Sequence, residues 1–117
     1  MPDEAFDQAR SDAFAARMAE ALNGAAIALM ASIGHQVGLF DVMAERPTAT
    51  SDQLAEAAGL DERYVREWLA ALVTGRVVEY DPAAQTYTLP REYAAWLTRA
   101  AGVNNLAVQA QYIPLLA

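Results

Sequence analysis

The stretch TSDQLAEAAGLDERYVREWLAALVTG, residues 50–75, decides the fold. Thr50 followed three residues later by Gln53 has the form of a capping box, which satisfies two orphan amides at the start of a helix. Leu54, Ala57 and Ala58 give that helix its apolar face, and Gly59 supplies a left-handed residue that ends it. Asp61 then caps a second helix. In it Tyr64, Val65, Trp68, Leu69, Leu72 and Val73 recur at three- and four-residue spacing, while Arg63, Arg66 and Glu67 face outward. Gly75 is expected to close this helix as Gly59 closes the first.

Downstream the period changes. Val77-Val78-Glu79-Tyr80 and Thr86-Tyr87-Thr88-Leu89 are β-formers on either side of Asp81-Pro82-Ala83-Ala84-Gln85, the pattern of a hairpin. Two helices about a short glycine turn, followed by a hairpin, make a helix-turn-helix with a wing. Pro90 opens a further short helix through Tyr93, Ala94, Trp96 and Leu97, and after Gly102 a last segment, Asn104 to Leu116, is apolar on most sides.

Upstream, residues from about Asp3 to Gln36 read as alanine-rich helix whose one weak point is Asn23-Gly24. That dipeptide either divides two helices or sits at a close contact. Gly38, Leu39, Phe40, Val42 and Met43 form another short helix that stops before Pro47. The expected fold is therefore mainly α with a small β-hairpin, a winged helix-turn-helix with additional N-terminal and C-terminal helices. Three segments follow: 1–47 as N-terminal dimerisation helices, 48–98 as the winged helix, and 99–117 as a connecting helix.

Between Ala25 and Ile33 the first helix keeps hardly any polar face, so it must be covered on nearly all sides. Gly24, Ala28 and Ser32 lie at spacing four, and small side chains there let another helix approach closely. In a chain of 117 residues a second copy is one source of that helix, and an ordinary central core helix is the alternative. The candidate dimer residues are Gly24, Ala25, Ala28, Leu29, Ser32 and Ile33.

Charge and composition bound the chemistry. The chain holds no cysteine and one histidine, His35, which excludes disulfides, thiolate nucleophiles, sulfur-ligated zinc or iron and histidine-pair sites. Its net charge is −7, and all eight of its basic residues are arginine. Nucleic-acid affinity is largely counterion release driven by Lys and Arg. From Thr48 to Thr98 eight acids face four arginines, and the wing tip carries no cation. DNA binding by the helix from Asp61 to Thr74 is disfavoured on this ground, although Arg63, Arg66 and Arg76 leave room for a local patch.

The acidic balance likewise disfavours an anionic membrane surface, and the N-terminus has neither the basic start nor the apolar run of a secretory signal. A soluble cytoplasmic protein is expected. No catalytic, cofactor-binding or metal-ligating set stands out. His35 reads as a helix-end residue or, more sharply, as one wall of a substrate pocket completed elsewhere. Trp68 and Trp96 read as packing residues, Met30 and Met43 as core fillers, and a small-molecule pocket lined by Trp68, Trp96 and Tyr112 is a further alternative. The apolar ending from Tyr112 to Ala117 suggests either the front piece of a longer polypeptide or a segment covered by a partner.

Taken together, the runs Ser32 to Asp41, Ser51 to Ala55, Gly59 to Leu69, Val78 to Asp81 and Tyr87 to Pro90 resemble the N-terminal winged-helix module of bacterial class I S-adenosylmethionine-dependent methyltransferases. The resemblance covers roughly residues 20–117. It implies a homodimer whose long N-terminal helices intertwine, with the module roofing the substrate cleft of a separate Rossmann-like domain. Met30, His35 and Tyr112 are then candidates for covering a small-molecule methyl acceptor. S-adenosylmethionine is expected for the parent protein and not for this chain, since no matching position belongs to a cofactor motif.

Overall fold

The computed structural model describes residues 5–110. Asp7 starts the first helix, α1 (Gln8–Gln36), by accepting a hydrogen bond from the Arg10 amide. Alanine supplies helix propensity along most of its 29 residues, about 43 Å at ~1.5 Å per residue. The helix runs unbroken through Asn23-Gly24. Gly38, at φ 77°, then turns the chain by 74° into α2 (Leu39–Glu45).

The helix-turn-helix follows as read. Thr50 and Gln53 form the complete capping box on α3 (Ser51–Ala58), and Gly59 ends it at φ 69°. Asp61 caps α4 (Glu62–Thr74) through the Arg63 amide. The wing is the antiparallel pair β1 (Glu79–Asp81) and β2 (Thr86–Thr88), with Tyr80 opposite Tyr87. At its tip the Asp81 carboxylate accepts from the amides of Ala83 and Ala84. A bridge between Ala49 and Tyr87 ties the wing to the start of α3. Next come α5 (Arg91–Leu97), a 3-10 turn over Arg99–Asn104, and α6 (Leu106–Ala110).

One core draws on all three expected segments: Leu39, Phe40 and Met43 of α2, Leu54, Val65, Trp68, Leu69 and Leu72 of the helix-turn-helix, and Ala107 of α6. The Trp68 ring meets Phe40 edge-on at 5.2 Å and donates its indole N–H to the Met30 carbonyl at 2.8 Å. A side chain at Gly34 would collide with both rings, so glycine is what lets α1 close down on this pair. Asn105, fully buried, donates to the Thr98 carbonyl and accepts from the amides of Ala107 and Val108, which starts α6 against α1.

One expectation fails in detail. Gly75 ends α4 with φ −79°, and the left-handed residue is Arg76 at φ 62°. The Arg76 amide bonds back to Val73 and the Val77 amide to Leu72, a Schellman closure shifted by one residue. Gly75 is needed for another reason: a Cβ there would lie 2.7 Å from Ile27 Cγ1, so it lets α1 approach the end of α4.

Candidate functional site

The covering expected for α1 is only partly intramolecular. Its last turns pack on α2, α4 and α6, whereas residues 12–26 are exposed throughout. Phe14, Met18, Leu22, Leu29 and Ile33 all stand in solvent, Phe14 at 54% and Leu22 at 65% of full exposure. At ~100° per residue they fall within about 100° of arc, so they form one face. Residues 21–40 contain no Asp, Glu, Lys or Arg. A surface helix normally keeps a charged or polar face, and over these turns α1 presents an apolar one to solvent instead.

Of the residues expected at a dimer contact, Gly24, Ala25, Leu29 and Ile33 are exposed and Ala28 is half-buried. Ser32 is buried within the chain, where its hydroxyl accepts from Gln36. Phe14, Met18 and Leu22 lie outside the more continuously apolar run from Ala25 to Ile33, among charged neighbours that mask them in the sequence. Their spacing of four was the available signal.

The apolar face continues off the helix. Beyond Ile33 it reaches Val37 and an apolar recess of about 150 Å³, lined also by Leu60 and Tyr64 from the entry to α4, with Trp68 behind them. Tyr64 is 69% exposed. Asp61 is the one charged residue lining this recess, and its carboxylate is occupied by the Arg63 amide.

The residues expected to cover a substrate are not brought to one place. Met30 and His35 are five positions apart on α1, about 140° around the helix. Met30 lines a groove with Ile27, Ala71 and Thr74. His35 is half-buried, and its Nδ1 is buried with no hydrogen-bond partner among the described residues. Its carbonyl accepts from the Arg99 guanidinium at 2.8 Å, which also pairs with Asp41, so one side chain binds the end of α1 to α2. Tyr112 lies outside the described residues. Trp68 and Trp96 line different depressions, Trp96 with Tyr93, Leu97 and Leu106 in an open apolar groove of about 360 Å³.

The winged-helix face has the form of a DNA reader but not its charge. On α4, Arg63 faces Glu67 at 3.5 Å and Arg66 faces Glu62 at 3.8 Å, so each cation at the leading end of the helix has an acid beside it. Glu62 also accepts from the Ser51 hydroxyl. Among the described residues no group of His, Asp and Glu is placed to hold a metal, and no single helix is long and apolar enough to cross a membrane.

No curated protein matches the chain. The model of the Rv2258c-like winged HTH domain family matches residues 25–99, from the middle of α1 to just past α5. Its span takes in every element of the helix-turn-helix and wing built above, and on that match the chain belongs to the Rv2258c-like winged HTH domain family.

Proposed function

We propose that this chain is a non-catalytic module that forms a homodimer and covers the substrate cleft of an S-adenosylmethionine-dependent methyltransferase domain acting on a small molecule. The observation that carries the dimer is the charge-free face of α1, left open by the other described residues. The covering role rests on the resemblance to methyltransferase N-terminal modules. One feature is in keeping with it: the open apolar groove under Trp96 is a surface a neighbouring domain would finish. In this reading the methyl donor is held by the other domain, and no residue of this chain touches it.

Light scattering at micromolar concentration should return twice the 12.6 kDa chain mass. A monomer would remove the first half of the proposal. The second half is checked by reading the coding sequence around this segment, where a glycine-rich cofactor loop after a strand is expected.

The winged helix-turn-helix itself favours a second reading, a DNA-binding transcriptional regulator presenting α4 to the major groove. Against it stand the Arg63–Glu67 and Arg66–Glu62 pairs and the cation-free wing tip. Duplex binding that weakens steeply with added salt would install this reading in place of the first.

A further inference from the structure

The large apolar side chains that α1 exposes are arranged symmetrically about a point in its second half. Phe14, Met18 and Leu22 stand at spacing four, and so do Leu29, Ile33 and the C-cap residue Val37. Counted outward from the bond between Ala25 and Ala26, Leu22 is level with Leu29, Met18 with Ile33, and Phe14 with Val37. A row with this property matches an antiparallel copy of itself: turned about a two-fold axis at that bond, each large side chain meets its counterpart, and alanine meets alanine at the crossing. A spacing of four winds slowly round a helix, so the two copies cross and wrap rather than lie straight side by side.

This pairing carries each Phe14 to the partner's Val37, the edge of the recess formed with Leu60 and Tyr64. The recess holds about 150 Å³, a volume at which apolar cavities accept a benzene ring. Charge agrees as well, because the Arg17 guanidinium lies 5.3 Å from the Phe14 ring centre and arrives beside Asp61, the one charged residue lining the recess. Area asks for such an extension. A helix face about 43 Å by 10 Å offers roughly 430 Å², short of the ~800 Å² per partner in stable complexes.

Resting on the dimer reading above, we infer that two copies pair antiparallel through α1 about the Ala25–Ala26 bond, each seating Phe14 against the other's Val37, Leu60 and Tyr64. Tyr64 belongs to the first turn of α4, the part of a winged helix that reaches base edges. The dimer therefore shuts that turn away from DNA.

The chain lacks cysteine, so single cysteines report without background. Under mild oxidation Ala25→Cys should give a covalent dimer and Met18→Cys should not, since only the former sits at the axis. By sedimentation equilibrium, Phe14→Ala and Tyr64→Ala should each weaken the dimer about tenfold or more, and the double variant little further. Tyr93→Ala, an exposed aromatic in another groove, should leave the constant unchanged. A wild-type chain that is monomeric at micromolar concentration overturns both this inference and the reading beneath it. A wild-type dimer in which Ala25→Cys does not cross-link, or in which the Phe14 and Tyr64 effects simply multiply, overturns this pairing and leaves the dimer standing.

Discussion

Tyr87 shows how much one residue can hold in place. Its amide and carbonyl exchange hydrogen bonds with Ala49, and its ring leans on Tyr80 at 4.7 Å. Burial pushes its phenol up from the usual value of 10.0, Tyr80 and Glu62 add to the rise, and Arg66 opposes it. The folded chain thus favours the neutral phenol, and the unfolded chain releases the proton first. The contribution of Tyr87 to stability is whole below about pH 10 and is lost as pH climbs toward the raised value. Urea midpoints should therefore drop as pH rises above about 10, and Tyr87→Phe should drop less over the same range. None of this could be read from the hairpin pattern, which placed Tyr87 on a strand but not against Tyr80 and Ala49. Trp68 was legible as core from its spacing, whereas its hydrogen bond to Met30 depends on where α1 crosses α4 and needed the structure.

At the scale of the element, local chemistry was legible wherever partners lie within one turn. The Thr50–Gln53 box, the Asp61 cap and the left-handed Gly59 depend only on neighbouring residues. The end of α4 misled because its glycine answers a distant contact: Gly75 makes room for Ile27, and Arg76 takes the left-handed turn. The two positions should respond oppositely to substitution. Arg76→Gly relieves a side chain at φ 62° and should stabilise by about 0.5–1 kcal/mol. Gly75→Ala presses a methyl into Ile27 and should cost about 1–3 kcal/mol. Thermal or urea unfolding of the two variants beside the parent decides this.

At the scale of the whole molecule, a radius of gyration of 17.9 Å and a longest extent of 65 Å mark a body with a projecting arm. A compact chain of this length would have a radius near 13 Å. The sequence showed that α1 was too apolar to stand alone, but not which side its own chain would cover, because that depends on where α4 and α6 return. Most helical stability in proteins comes from packing of an apolar face rather than from propensity, so order in the outer turns of α1 should depend on association. Amide exchange over residues 8–26 should slow as protein concentration rises, while α4 amides stay constant. Leu22→Glu should remove the concentration dependence and leave the body folded.

The open outer turns of α1 also bear on the life of a newly made subunit. If α1 pairs as proposed, a chain fresh from the ribosome carries, until it finds a mate, an oily spar that chaperones and proteases can grip. Survival then rises faster than in proportion to synthesis, since mates meet more often when more are made. Such a protein is self-thinning at low supply, and an excess of one mutant arm would poison its wild-type sibling.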